Sequence, residues 1–168
     1  MTYDGILFIG DPHVSSRAPG FRSDDYPRAI LDKLAGCLDH ARTKGLKTAL
    51  LGDIFHYPRD NANWLLTELI ELLSPHVPLA IYGNHDVREN AISVDDSLSI
   101  LAASGAIELL TEDQPWSGTI AGRQVVIGGT SWGRKLPSGG EWPPTTWSFP
   151  DPAVPGRLGA GGDGAGAA

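Results

Sequence analysis

Short apolar runs alternate along this chain with longer stretches in which apolar residues recur every third or fourth position. The first run, "ILFI" at 6–9, is followed by a long polar loop. Ile30, Leu34, Cys37, Leu38 and Ala41 then fall at helical spacing and predict a helix over about 25–44. Asp24 or Asp25 can cap that helix, Pro27 suits its first turn and Gly45 stops it. The second run, "TALL" at 48–51, leads through a loop to a helix near 61–73. Asp60 or Asn61 can cap this one, Leu65, Leu66, Leu69, Ile70 and Leu73 form its buried stripe, and Ser74-Pro75 closes it. The third run, "PLAIY" at 78–82, precedes a shorter helix near 95–104 that turns Leu98, Leu101 and Ala102 inward and ends at Gly105. Such a run–loop–helix unit, repeated three times, is the pattern of an α/β fold with mostly parallel strands. Beyond it the period changes. "IELL" and "GTIAGRQVVIGG" read as strands, the latter as a hairpin across Ala121-Gly122-Arg123, so a mixed sheet is expected there.

From about Pro137 the pattern stops. Residues 137–168 hold eight glycines and six prolines, with Trp142, Trp147 and Phe149 at no regular spacing, and no core can come from them. The expected organisation is therefore a core over 1–136 and a disordered Pro/Gly/Ala-rich tail over 137–168.

Bulk composition narrows the function classes. The 168 residues are 41% hydrophobic and 20% charged, ordinary for one soluble globular domain. A net charge of -7 argues against a general binder of nucleic acid or anionic membrane, because counterion displacement needs an excess of Lys and Arg. Nucleic acid stays open as a substrate without support from charge. No apolar stretch reaches transmembrane length and the N-terminal run is too short for a signal peptide, so the expectation is a cytoplasmic protein without a membrane partner. Cys37, the one cysteine, rules out an intrachain disulfide and a cysteine-based zinc site. On the apolar face of its helix it reads as a small core residue.

Chemistry concentrates where each run ends. The first loop opens "GDPH", with Asp11 and His13 two residues apart, so that persisting strand geometry would point both side chains to one face. The second opens "GDIFH", with Asp53 after Gly52 and His56 three further on. The third opens "GNHD", Gly83-Asn84-His85-Asp86. Loops leaving the carboxyl ends of adjacent parallel strands lie side by side and form a ligand crevice. Carboxylate, imidazole and amide donors placed three times at the same structural position point to a shared metal site. His56 reads either as a further site residue or as a hydrogen-bonding partner of its loop, while His40 and His76 read as solvated. A dinucleotide-binding loop is poorly supported, because "FIGDPH" has one glycine where that fingerprint needs three.

In this order the motifs resemble the calcineurin-like metallophosphoesterases: D-x-H, then G-D-x-x-(D/H), then G-N-H-(D/E), a lone His, and G-H-x-H. Asp11/His13, Gly52/Asp53/His56 and Gly83/Asn84/His85/Asp86 match the first three, over about residues 4–135, and the Phe-His of "GDIFH" looks more like the branch containing the DNA double-strand-break repair nucleases than like the phosphoprotein phosphatases. The resemblance implies a β-sandwich of mixed sheets flanked by helices, and a hydrolase acting on a phosphate mono- or diester through two divalent ions. By the same resemblance, Asp11 and His13 would hold the first ion, Asp53 would bridge both and Asn84 would bind the second. Manganese suits the oxygen-rich set, with iron or zinc as alternatives. His85 would stabilise the transition state or protonate the leaving oxygen, and Asp86 would orient its ring. Arg17, Arg22, Arg59 and Arg88 lie in the same loops as candidates to meet substrate phosphate, against the alternative of solvated loop charges.

No histidine follows His85, so neither the lone His nor the G-H-x-H pair occurs. Two expectations follow: a phosphoesterase whose site is completed by further sequence, or a truncated or non-catalytic domain with little or no turnover. The tail favours an N-terminal part of a longer phosphoesterase, cut by a frameshift or gene-calling error near Pro144 and weak or inactive by itself, over a natural short variant with a disordered tail.

Overall fold

The computed structural model describes residues 2–89, 92–111 and 113–133. The tail expected to lack order, residues 137–168, lies outside them.

Among the described residues, seven strands and three helices follow one another as β1 (Thr2–Tyr3), β2 (Gly5–Ile9), α1 (Tyr26–Thr43), β3 (Leu46–Leu50), α2 (Asn63–Leu73), β4 (Leu79–Ala80), α3 (Ser97–Ala103), β5 (Glu108–Leu109), β6 (Trp116–Ile120) and β7 (Arg123–Ile127), with one 3-10 turn at Asn84–Asp86. Strands β2-β3-β4-β5 form a four-stranded sheet in sequence order and wholly parallel. Strands β1-β6-β7 form a second sheet, parallel between β1 and β6 and antiparallel across the β6–β7 hairpin. This is a mixed α/β architecture of two sheets flanked by helices.

The alternation of side chains along β3 explains the layering. Leu50 joins the larger core cluster with Leu31, Leu34 and Leu38 of α1, Leu65, Leu69 and Leu73 of α2, and Leu98 and Leu101 of α3. Its neighbour Ala49 faces the other way, into a smaller cluster with Leu79, Leu110, Trp116 and Ile127 where the two sheets meet. Both faces of β3 are covered, so its polar residues are not turned outward and Thr48 is buried along with Ala49 and Leu50. Lys47, two residues before Ala49 on the same face, is buried as well. Its ammonium donates to the Val77 carbonyl at 2.8 Å and lies 5.8 and 5.7 Å from the Tyr3 and Trp116 ring centroids. Burial lowers its pKa, with Glu108 opposing.

Helix α1 starts as the sequence suggests, with Asp25 accepting from the Arg28 N–H and Pro27 in the first turn, and it ends where Gly45 turns to φ +64°. Helix α2 departs from expectation. Its N-cap is Ala62, without a side-chain cap, because the Asn61 amide is drawn to the Tyr57 carbonyl and the Ser97 hydroxyl instead. The third apolar run is extended over 78–82 in the sequence, but only Leu79–Ala80 pair as a strand before the chain turns into the site. Cys37 is half-buried and outside both core clusters. Strand β1 was not anticipated, because two residues carry no periodicity.

Candidate active site

In a parallel sheet every strand ends at the same edge, so the segments following β2, β3 and β4 emerge together. They are then bonded to one another directly. The His13 N–H donates to the Asp53 carbonyl (2.9 Å), Val14 to Ile54 (2.7 Å) and His56 back to Val14 (2.9 Å), an isolated parallel bridge of the first loop on the second. The third loop is attached by Asp86. This carboxylate is fully buried and accepts from the N–H groups of Ile54 (3.2 Å), Phe55 (2.8 Å) and Gly83 (2.9 Å). Burial raises its pKa, and the three backbone donors oppose that shift.

The expected role of Asp86 is thereby corrected. It does not hold the His85 ring, whose Nδ1 is 2.9 Å from the carbonyl oxygen of His56. A carbonyl only accepts, so Nδ1 carries the proton and Nε2 is the atom left for chemistry. The ring is oriented by backbone, while both Asp86 oxygens are occupied in joining two loops.

Strand geometry does not persist through "GDPH" either. Strand β2 stops at Ile9, and Asp11 and His13 take φ of 47° and 49°, with Asp53 at 47°. Left-handed backbone at non-glycine residues costs about 1–3 kcal/mol and gathers at functional sites. Here it replaces the two-residue alternation expected from the sequence.

Asp11, Asp53 and Asn84 line one open cavity of about 730 Å³. At its side, His13 Nε2 lies 4.0 Å from Asp53 Oδ2, and the His85 backbone N–H donates to Asp53 Oδ1 at 2.8 Å. The rings of His13 and His85 are 4.8 Å apart, and His56 is 5.5 Å from each. One ring nitrogen from each of the three approaches the others within 4.8 Å, a group able to hold a metal ion. His56, undecided in the sequence, is thus part of the imidazole group. Its pKa is lowered, first by burial and then by His13 and His85, which favours the neutral ring that metal ligation requires. His13 Nδ1 is buried and, among the described residues, is the one buried side-chain polar atom with no hydrogen-bond partner. Three clustered imidazoles, with Asp53 Oδ2 4.0 Å from His13 Nε2 and Asp11, Asp53 and Asn84 lining the adjoining cavity, are a donor set that fits divalent cations.

The close approach of the loops depends on two glycines. A Cβ on Gly52 would come within 2.8 Å of the Gly83 backbone, and one on Gly83 would clash with the Asp53 backbone nitrogen and Oδ1. Only hydrogen at both positions lets Asp53 sit against the third loop.

One part of the cavity went unread in the sequence. Thr130, Ser131 and Trp132 come from the segment after β7, where the Trp132 N–H donates to the Tyr82 carbonyl at 2.9 Å and the Tyr82 N–H reaches Ser131 Oγ at 3.3 Å. "VVIGG" before it repeats the pattern of an apolar run closing on glycine seen in the other loops, and that was the available signal.

A family model described as calcineurin-like phosphoesterase matches residues 5–142. The chain belongs to the calcineurin-like phosphoesterase family. No curated protein matches it. The family is one of metal-dependent phosphoesterases, and the imidazole group at the ends of the loops is able to hold such a metal. Of the four arginines read as phosphate candidates, Arg22 is engaged by Asp24 at 2.8 and 2.5 Å, away from the cavity lining. Arg59 is held by the buried Asp96 at 2.9 Å. Among the described residues no helix of this family member is long and apolar enough to cross a membrane.

Proposed function

We propose that this phosphoesterase hydrolyses a phosphate mono- or diester at the cavity formed by its first three loops, with two divalent ions, manganese for preference, iron or zinc as alternatives. Asp11 and His13 would hold one ion, Asp53 would serve both and Asn84 would hold the second. The observation that carries this reading is the convergence itself: turns at positive φ or glycine bring Asp11, Asp53 and Asn84 from three separate loops to one cavity, with His13 Nε2 4.0 Å from Asp53 Oδ2. When bound, a pair of divalent ions supplies an activated water and neutralises charge on the phosphate.

His85 does the proton work. With Nδ1 committed to the His56 carbonyl, Nε2 of the protonated ring donates to a leaving oxygen and is restored from solvent. Asp86 contributes indirectly, by keeping the loop of Asn84 and His85 against that of Asp53. A lone half-buried cysteine is compatible with the reducing cytoplasm.

A second reading, a domain that holds metal with little turnover, is favoured by the histidine inventory. His13, His40, His56, His76 and His85 are the histidines of these 168 residues, and none of them stands at the later imidazole positions of the family pattern. Hydrolysis of bis-aryl against mono-aryl phosphate with added manganese separates the readings. The first expects manganese-dependent release from at least one ester, and whichever is cleaved sets the bond type. Manganese bound without release from either ester selects the second.

A further inference from the structure

A second cavity, of about 420 Å³, opens beyond the imidazoles and is built by the continuation of the same three loops. Ser15, Ser16 and Arg17 follow His13, Tyr57 and Arg59 follow His56, and Arg88 follows His85. Each wall residue is within about four positions of a site histidine, so no loop carries its wall more than about 14 Å from the imidazoles. The Tyr57 ring of this wall packs edge-on against the His56 imidazole, their centroids 4.6 Å apart.

The wall is rich in donors. The Ser15 oxygen accepts from the Arg17 N–H (3.1 Å) and the Ser16 oxygen from the Ala62 N–H (3.4 Å), which leaves each hydroxyl proton to be donated elsewhere. Arg59 is pinned through Nε to the buried Asp96, a guanidinium fixed in place with further N–H groups to offer. Arg88 has only a 3.8 Å contact with Glu89, both side chains being exposed, and Arg17 makes no ion pair among the described residues. Opposing carboxylates are Asp60 in the wall itself, Glu89 beside Arg88, and Asp95 and Asp96 beside Arg59. Three arginines and two serines lining one basin, in a chain of net charge -7, supply donors suited to the acceptor-only oxygens of a phosphate group.

We propose that this basin binds a second phosphate of the substrate, so that the molecule cleaved at the loop ends is a small one carrying at least two phosphates. The statement about cleavage rests on the phosphoesterase reading above; the basin stands on the arginines alone. A small molecule is favoured over a nucleic-acid strand because the basin is confined and the chain's overall charge offers no extended track for a backbone.

The test has two arms. In the first, inorganic phosphate is titrated calorimetrically into the metal-free full chain. Binding is expected, weakening at least about tenfold in the Arg17→Ala/Arg88→Ala double variant, as the loss of charge-assisted hydrogen bonds implies. Unchanged circular dichroism guards against misfolding, and Arg17→Lys/Arg88→Lys should restore part of the affinity. Phosphate binding that is absent, or indifferent to the double variant, overturns the basin. In the second arm, with manganese, the double variant should raise KM at least about tenfold for an aryl phosphodiester of a nucleoside bearing a further phosphate, and leave KM unchanged for the same ester without it. Equal KM changes on both esters, or a short single-stranded oligonucleotide preferred over the doubly phosphorylated nucleoside, overturn the substrate assignment. No turnover of any ester sinks the phosphoesterase reading, and the phosphate titration then decides the basin by itself.

Discussion

Asp53→Asn is expected to lower manganese affinity by ~10²-fold or more, and to do so far more than His85→Ala, because the lost charge is the one proposed to lie between two ions. The substitution is nearly isosteric. The oxygen that accepts the His85 backbone N–H at 2.8 Å can be kept by an amide, so the third loop should stay in place while the charge beside His13 disappears. His85→Ala removes one of three clustered imidazoles but leaves Asp11, Asp53 and Asn84 untouched. Its main loss, ~10²-fold or more, is expected in turnover, as for removal of a positioned proton donor. Calorimetric titration of both variants with manganese is the check. Equal losses of affinity would mean that His85 is a principal ligand and that the division between metal and proton work is wrong.

Asp86→Ala should cause the largest loss of stability. Three buried backbone N–H groups, on Ile54, Phe55 and Gly83, lose their acceptor together. An orphaned buried donor costs about 1–3 kcal/mol, and such terms on one carboxylate are not additive, so about 3–5 kcal/mol is expected in all. For a chain of this size that amounts to a fall of roughly 10 °C in Tm, out of a total stability of only about 5–15 kcal/mol. Differential scanning calorimetry on the metal-free protein measures it. An Asp86 that merely oriented the His85 ring would leave Tm near the wild-type value, and that result would reinstate the role suggested by the sequence.

The contrast between these two aspartates shows what a sequence can and cannot reveal here. Asp53 was legible because glycine and a carboxylate directly after an apolar run recur as a pattern, and the pattern is local. Asp86 lies in an equally conspicuous motif, but its three acceptor contacts are to Gly83, three residues away, and to Ile54 and Phe55, 32 and 31 residues away. No spacing encodes those partners. Backbone conformation was similarly hidden. Asp11 and His13 sit two apart, which in extended chain means one face, but positive φ at both replaces that rule. The helices were readable from leucine periodicity. The cap of α2 was not, because Asn61 could serve either the helix or Ser97, and tertiary contact decided. Lys47 illustrates the same limit in the core. A charged residue ordinarily marks a strand's exposed end, yet here a backbone carbonyl and two aromatic rings from the second sheet receive it. The family pattern itself was visible from three short motifs, and the match over residues 5–142 agrees with it.

The most direct test of the central claim, that the first three loop ends hold a pair of divalent ions, is the stoichiometry of manganese bound to the purified full chain, followed by calorimetry with free ion checked by electron paramagnetic resonance. Two ions per chain are expected, with Asp11→Asn weakening one of them and Asp53→Asn weakening both. A chain that binds no manganese, or whose binding is unchanged in Asp11→Asn and Asp53→Asn alike, would contradict it.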